Sequence, residues 1–208
     1  MTPRKIERFM SILAAELATP ARAFVTGAAA AALWGRVRPS YDIDLGLELK
    51  RGARTGWQAV ERAVEKATER TGIAASVAED IDRWGMITLL DYKRTSRRYA
   101  VYGQLEVRLL DPANWSIGKL TRNLDSDLGD VQEVFRRQRV QAAKVASIWG
   151  RALRASPAST AQSQFRRNVE RFLRDRGRRI WGRNFDVEAT IAAFERAARI
   201  RRPCPLTT

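Results

Sequence analysis

The most constraining feature of the sequence is a pair of aspartates, Asp42 and Asp44, inside an apolar run that continues through Leu45, Leu47 and Leu49. Successive side chains of a β-strand point to opposite faces, so this alternation predicts a strand with one apolar face. Both carboxylates then project side by side from the other face. Two like charges that close repel each other unless a cation lies between them, and oxygen ligands favour Mg²⁺. The run therefore predicts a strand that carries a metal site.

A short helix is predicted just before this strand. Ala23–Val25 indicates a buried strand, and residues 28–34 are almost all alanine, a strong helix former, up to Gly35. Backbone N–H groups at the start of a helix attract anions. Small residues such as Gly27 and Ala28 at that point allow a phosphate group to approach closely.

A phosphate site one helix upstream of a carboxylate pair is typical of nucleoside-triphosphate chemistry, in which a divalent cation neutralises the charge that develops on the phosphates. On the residues alone a second interpretation stays open. Asp42 and Asp44 can also be solvated carboxylates at a strand edge that form ion pairs with Arg36 and Arg38.

The order of the predicted elements favours an α/β (α+β) fold. Apolar periodicity predicts helices over 3–18 and 56–71, together with strands at 41–49, 73–77, 86–92, 98–102 and 105–110. Asp111-Pro112 then starts a series of helices at 112–121, 127–149, 162–180 and 186–201. We expect a mixed sheet with flanking helices over residues 1–111, followed by a helical C-terminal region over residues 112–208.

The amino-acid composition limits the classes of function that the protein can have. The chain has 38 Lys and Arg against 23 Asp and Glu, a net charge of +15, which favours a polyanionic partner such as nucleic acid. The absence of histidine excludes His-dependent zinc sites and catalytic triads, and the single Cys204 excludes an intramolecular disulfide. No apolar run approaches the roughly 18 residues that span a bilayer. The polar N-terminus is unlike a secretory signal, so we expect a cytoplasmic protein with no membrane partner.

Together these residues resemble the signature of the polymerase-β-like nucleotidyltransferase superfamily, and more narrowly of its bacterial minimal and toxin-type members from abortive-infection and toxin–antitoxin systems. The signature is a pair of small residues, a helix ending near glycine, an arginine, a hydroxyl residue and D-x-D, which here are Gly27-Ala28, Gly35, Arg38, Ser40, Asp42 and Asp44. The resemblance implies nucleotide binding by Gly27, Ala28, Arg38 and Ser40. The departure is Ala28, where the family has glycine or serine.

The superfamily places a third carboxylate on a strand beside the D-x-D strand. Glu106 in LEVRLL resembles that residue, since Leu105, Val107 and Leu109 alternate with it. The resemblance therefore implies that Glu106 joins Asp42 and Asp44 as a metal ligand or acts as a general base. Asp91 is the alternative third carboxylate.

A further resemblance lies in the predicted helix after Asp111. In the toxin-type families this helix carries a Lys-Leu step, and an acidic residue opens the next helix, as Lys119-Leu120 and Asp127 or Asp130 do here. The resemblance implies that Lys119 contacts the triphosphate and that Asp127 is catalytic. The structural alternatives are a surface lysine and an N-cap aspartate.

The C-terminal region is rich in arginine. Residues 151–208 contain 14 Arg, no Lys and 5 acidic residues. The predicted helix over 162–180 combines an apolar stripe with a basic face, which we predict to contact nucleic acid through Arg166, Arg167, Arg171, Arg174, Arg178 and Arg179. Trp149 and Trp181 could stack on bases, although tryptophans near helix ends are usually packed.

The expected activity is transfer of a nucleoside monophosphate from an NTP with Mg²⁺ or Mn²⁺, releasing pyrophosphate. Charge favours RNA as the acceptor. The resemblance implies a tRNA 3′ end, a toxin or phage-defence role, and a cognate antitoxin or toxin protein as partner. One alternative is protein nucleotidylylation of the antitoxin type. The other is a degenerate nucleotidyltransferase fold that only binds nucleic acid or protein.

Overall fold

The computed structural model describes residues 1–17, 19–36, 39–50 and 56–200, without the side chains of residues 83 and 84. Arg38 and Cys204 lie outside these ranges. The chain divides into two compact units. Unit 1 comprises residues 1–84 and 91–115, and unit 2 comprises residues 85–90 and 116–208.

Unit 1 contains all five strands of the sheet. In chain order its elements are α1 (Pro3–Glu16), β1 (Ala21–Val25), α2 (Gly27–Leu33), β2 (Asp42–Leu49), α3 (Trp57–Thr71), β3 (Ala74–Ala78), a 3₁₀ turn (Ile81–Trp84), α4 (Tyr92–Thr95), β4 (Arg97–Tyr102) and β5 (Leu105–Leu109). Helix α5 (Pro112–Arg122) begins in unit 1 and ends in unit 2. The predicted α/β class with a mixed sheet and flanking helices is confirmed.

The strands lie in the order β3-β2-β1-β5-β4. The pairs β1–β2 and β4–β5 are antiparallel, whereas β1–β5 and β2–β3 are parallel. One face of the sheet is apolar, because the alternating residues of the central strands are buried there: Ala21, Ala23, Val25, Ile43, Leu45, Leu47, Leu105, Val107 and Leu109. The opposite face of β2 carries the two aspartates.

Helices α1 and α3 have amphipathic sequences and pack against each other. Their buried residues recur at three- and four-residue spacing, as in the Ile6, Phe9, Met10 and Leu13 series of α1. Helix α3 ends at Gly72, which adopts a left-handed conformation with φ of +68°. A residue without a Cβ occupies that region without strain, so the glycine lets the chain turn directly into β3.

Unit 2 is helical, with α6 (Asp125–Arg137), α7 (Ala142–Ala155), α8 (Thr160–Trp181) and α9 (Val187–Ala198). Helices α7 and α9 approach closely at Gly150, where a Cβ would lie 2.5 Å from the Phe194 carbonyl oxygen. Trp149 is buried and donates from its indole N–H to the Ser116 hydroxyl at 2.9 Å. Trp149 is therefore a core residue, and not a platform for bases. None of the helices among the described residues is long and apolar enough to cross a membrane.

Two element predictions were wrong. The single helix over 127–149 is two helices, because Arg139 adopts φ of +48° and the N–H of Val140 bonds to the carbonyl of Phe135, as in a Schellman ending. The strand over 86–92 is absent. Asp91 adopts φ of +51° there, and the N–H of Thr88 donates to the Ser156 hydroxyl of unit 2. The periodicity of apolar residues does not reveal that a residue adopts a left-handed conformation, or that a backbone N–H bonds to a distant side chain.

Candidate active site

Asp42 and Asp44 project from the same face of β2, as the alternation predicts. Asp42 is exposed and Asp44 is partly exposed, while Ile43 between them is buried on the apolar face. The Ser40 hydroxyl donates to Asp42 Oδ1 at 3.2 Å. Ser40, which the resemblance assigned to the nucleotide, therefore lies beside the first carboxylate.

The turn between β1 and α2 packs directly against Asp44. Gly27 has φ of +60°, and a Cβ on it would lie 2.1 Å from Asp44 Oδ2. The N–H of Thr26 donates to the Asp44 carbonyl oxygen at 3.0 Å, which extends the β1–β2 pairing into the turn. Both the conformation of Gly27 and the missing side chain are therefore needed for this carboxylate to take its place.

Trp115 holds this turn from the other side. Its indole N–H donates to the Gly27 carbonyl oxygen at 2.8 Å, and its ring contacts the Trp34 ring edge-on at 5.0 Å. Trp34 caps the C-terminus of α2, so one side chain contacts both ends of this short helix. Sequence reasoning missed Trp115, because nothing in its spacing from Gly27 indicates the contact.

Helix α2 has seven residues, and Ala29–Ala32 are buried. Ala28 lies in its first turn and is partly exposed, and the N-cap residue Thr26 makes no side-chain cap. Gly27, which is predicted to bind the nucleotide, thus lies against Asp44, and Ala28, which is predicted with it, is the next residue of α2. Arg38, the remaining residue of that prediction, falls outside the described ranges.

Glu106 does not lie with the aspartate pair. The register aligns Glu106 with Arg22 of β1, and Arg22 with Glu48 of β2. Glu48 is four residues from Asp44, a separation of about 13 Å along a strand. The sheet therefore places Glu106 on the same face as Asp44 but at a different level.

Glu106 belongs to a row of alternating charges across that face. It accepts from Arg108 at 2.5 Å and pairs with Arg22 at 3.4 Å; Arg22 and Lys93 in turn pair with Glu48 at 3.7 and 3.0 Å. The hydrogen bond from Arg108 is the main reason that the pKa of Glu106 lies below its ordinary value. This row links β2, β1 and β5 through side chains.

The alternative third carboxylate, Asp91, is not on a strand. It lies at an exposed turn before α4 and pairs with Arg94, three residues later, at 2.8 Å. Among the described residues no group of three Asp, Glu, His or Cys side chains could hold a metal ion. The carboxylates of Asp42 and Asp44, which share one face of β2, are then the candidate oxygen ligands. Such a pair suits Mg²⁺ that completes its coordination with water and substrate phosphates.

Ser76 is a neighbour of the pair that sequence reasoning missed. The parallel register of β2 and β3 aligns Ser76 with Asp44 and Ala74 with Asp42, so both β3 side chains share the carboxylate face. Ser76 is exposed. The predicted strand at 73–77 contained this residue, but only the pairing of the strands brings its hydroxyl beside Asp44.

Unit 2 holds a second acidic cluster. Lys119 is 1% exposed, and its ammonium donates to Asp127 Oδ1 at 2.6 Å and to Asp130 Oδ2 at 2.9 Å. Arg122 donates to both oxygens of Asp127 at 2.9 and 3.2 Å. Burial raises the pKa of Asp127, but the hydrogen bonds from Arg122 and Lys119 outweigh it, and the pKa lies below its ordinary value.

The structure thus brings Lys119 together with both acidic residues that the resemblance associated with it. Its ammonium lies in the interior of unit 2 against two carboxylates, which is unlike a surface lysine. Asp127 is the third residue of α6, whose N-cap is Leu124, so Asp127 is not the N-cap either. The contact of Lys119 with a triphosphate and the catalytic role of Asp127 stay predictions.

The predicted basic face lies on α8. Arg167, Arg171, Arg174, Arg178 and Arg179 are exposed, whereas Phe165, Val169, Phe172 and Leu173 form the buried stripe. Arg166 pairs with Glu170 at 2.9 Å and Glu195 at 3.1 Å, and Arg174 pairs with Glu170 and Glu188. Trp181 donates to the Val140 carbonyl at 2.7 Å and packs on Phe185.

Three of these arginines form a stripe along the helix, namely Arg167, Arg171 and Arg178, which we call the α8 stripe. At 100° per residue they lie within about 40° of one another and extend over about 16 Å. Within the described part of the chain none of the three makes an ion pair. Arg167 donates to Gln164, a neutral side chain, at 2.7 Å.

Comparison of the chain with protein-family models, with curated proteins and with solved structures finds no match in any of the three. The resemblance to nucleotidyltransferases therefore rests on the residues of the sequence alone.

Proposed function

We propose that the protein is a divalent-metal-dependent nucleotidyltransferase that moves a nucleoside monophosphate from an NTP to a hydroxyl acceptor. The observation that carries the proposal is the contact between Gly27 and Asp44, where the turn after β1 leaves no room for a side chain. An ordinary solvated aspartate does not require a glycine with positive φ beside it. Glycine is the usual residue where the backbone must lie close to another group, and here it brings the Asp44 carboxylate to the start of α2, where the phosphates of a metal-bound nucleotide would approach.

In this proposal Asp42 and Asp44 hold Mg²⁺ or Mn²⁺, which would supply charge neutralisation of the triphosphate. Ser40 orients Asp42 through its hydrogen bond. Gly27 lets the Asp44 carboxylate lie against the backbone at the start of α2, where the phosphates would approach Ala28, and Trp115 fixes that backbone by its bond to the Gly27 carbonyl. The acceptor oxygen bonds to the α-phosphorus, the bond to the β-phosphate oxygen breaks, and pyrophosphate leaves while the acceptor proton passes to solvent.

The residues of unit 1 suffice for this assignment. Glu106 is aligned with Glu48 rather than with Asp44, and it is paired with Arg22 and Arg108. We therefore assign it no metal contact. Lys119 is neutralised inside unit 2 by Asp127 and Asp130, and the proposal does not depend on it.

The acceptor that charge favours is RNA. The chain has a net charge of +15, and the α8 stripe presents three arginines along one helix face. Guanidinium groups bind phosphate oxygens well, and each contact releases a counterion from the nucleic acid. A small cationic acceptor is disfavoured by the same charge, whereas transfer to a protein hydroxyl is the main competing outcome of the experiment below.

The test is transfer of label from each α-³²P-labelled NTP, with Mg²⁺, to total tRNA and to a cell lysate. We expect label in RNA with the wild-type protein, and a loss of at least ~10³-fold in the Asp42→Asn/Asp44→Asn double variant. Asp91→Asn, an exposed aspartate of the same unit, is the matched control and should retain activity. Label in protein would change the acceptor. No label anywhere would contradict the proposal.

The α8 stripe is tested separately by RNA binding. Replacing Arg167, Arg171 and Arg178 with glutamine should weaken RNA binding by more than ~10-fold and reduce the slope of log K against log salt by about 2–3. The matched control replaces three exposed arginines of unit 1 (Arg8, Arg62 and Arg97) and changes the net charge by the same amount. Equal losses in both variants would show that only total charge matters.

A further inference from the structure

The two edges of the sheet differ in how they are protected. Strands β3 and β4 are the outer strands, and an outer strand presents a row of backbone N–H and C=O groups that can pair with another chain. Natural proteins block such edges with charged side chains, proline, bulges or very short strands. The comparison of the two edges shows which of them is open to pairing.

Strand β4 is blocked. It begins with the exposed residues Arg97 and Arg98, and its pairing with β5 is interrupted by a register shift between Arg98 and Ala100. A bulge and two like charges both oppose pairing with a second strand. The edge is therefore protected although Val101 is 54% exposed.

Strand β3 has none of these features. Its sequence is Ala-Ala-Ser-Val-Ala, without charge or proline, and its five residues pair with β2 in continuous register. It is as long as β1, so it is not shortened. Ala74 and Ser76 are exposed and the other three residues are partly exposed. Among the described strands only β2 pairs with it.

Charge indicates what can pair with this edge. Residues 56–80, which comprise α3 and β3, contain five acidic and three basic residues, whereas the whole chain has a net charge of +15. On α3 the charges alternate as Glu61-Arg62, Glu65-Lys66 and Glu69-Arg70. A second copy approaching by this side meets mixed charge of low net value, and not the repulsion expected elsewhere on the chain.

We propose that β3 pairs antiparallel with β3 of a second copy of the chain, so that two five-stranded sheets join into one. The two-fold axis passes between Ser76 of one copy and the same residue of the other. Ala74 of each copy then faces Ala78 of the other copy. These side chains are small, so the strands can approach to the usual spacing without a steric clash. An interface of this kind is isologous, as in most homodimers.

The test is the molar mass of the full chain by size-exclusion chromatography with light scattering. We expect a mass near twice 23.5 kDa for the wild type. Ala74→Lys adds a charge to the open edge and should yield the monomer. Val101→Lys adds the same charge to an exposed residue of β4, the protected edge, and should leave the dimer intact. Circular dichroism checks that both variants fold.

Cross-linking then tests the register. In a Cys204→Ser background, Ser76→Cys should form a disulfide-linked dimer under mild oxidation, because residue 76 faces its own copy across the axis. Val101→Cys should not. A wild-type monomer at all concentrations, or a dimer that survives Ala74→Lys, would overturn the pairing, and absence of the disulfide in the Ser76→Cys variant would overturn the register. None of these outcomes depends on nucleotide transfer, so the catalytic proposal is tested independently.

Discussion

Two pairs of aspartates illustrate how the same electrostatic problem is solved in the two units. Asp42 and Asp44 lie on a strand, with Asp42 exposed at the surface of unit 1. Asp127 and Asp130 lie one helical turn apart on α6, and both are buried against the ammonium of Lys119. A buried carboxylate pair must receive its cation from the chain, because desolvated charges are too costly to leave uncompensated. A surface pair can receive one from solution. The difference separates a cluster whose charges are neutralised within the fold from one suited to bind a ligand.

The largest expected effect on stability is at Lys119. Lys119→Met removes the cation that both buried carboxylates share and leaves only Arg122 against Asp127, which should lower the free energy of unfolding by about 3 kcal/mol. The Asp42→Asn/Asp44→Asn variant should lose much less stability, because Asp42 is exposed and Asp44 is partly exposed, so water screens their charges. Urea unfolding followed by circular dichroism compares the two. If both variants lost equal stability, the distinction between the pairs would be wrong.

Gly27→Ala should disturb the aspartates of β2, Asp42 and Asp44, and leave Asp127 and Asp130 of α6 unaffected. The added Cβ would lie 2.1 Å from Asp44 Oδ2 in a backbone with φ of +60°, so the carboxylate must move. We expect a loss of about 1–2 kcal/mol of stability and a strong loss of nucleotide transfer. The control is Gly103→Ala, which has φ of +53° and open space around the added Cβ. It carries the backbone strain alone, and activity should survive.

Glu106→Gln tests whether Glu106 acts with the proposed metal ligands Asp42 and Asp44 or belongs only to the row of charges across the sheet. Since the register aligns Glu106 with Glu48, this change should reduce nucleotide transfer by at most a few-fold, far less than changes at Asp42 or Asp44. Its stability effect should be below about 1 kcal/mol, because the ion pairs of Glu106 are partly exposed. Steady-state rates for the variant and the wild type provide the measurement. A loss as large as that of the double aspartate variant would restore Glu106 to the site.

The smallest expected effect is a dependence of the free energy of unfolding on pH, which arises at Asp127 of α6. The pKa of Asp127 is depressed in the folded protein relative to 3.8, so its stabilising contribution is present above that pH and is lost as pH falls through the folded pKa. The free energy of unfolding of the wild type should therefore fall between about pH 5 and pH 2 more steeply than that of Asp127→Asn. Parallel curves for the two proteins would show that Asp127 makes no such contribution.

Local patterns in the sequence predicted most of the elements and the aspartate pair. The alternation around Asp42 and Asp44 determines a strand with both carboxylates on one face, because side-chain direction in a strand follows from residue parity alone. Asp111-Pro112 predicted the start of α5, and Asp111 Oδ1 accepts from the N–H of Ala113 at 3.0 Å. The prediction failed where one residue adopts positive φ, as Arg139 does between α6 and α7. No neighbouring glycine or proline signalled that break.

The sequence by itself determined the aspartate pair on β2, the small residues before α2 and the excess of positive charge, since these depend on residue type and short spacing. Only the tertiary structure decided which residues join them. Strand register placed Ser76 beside Asp44 and aligned Glu106 with Glu48, and packing brought Trp115 to Gly27 and enclosed Lys119. Register and helix packing are set by contacts between residues far apart in the chain. Strand register and helix packing therefore cannot be read from the spacing of residues along the sequence.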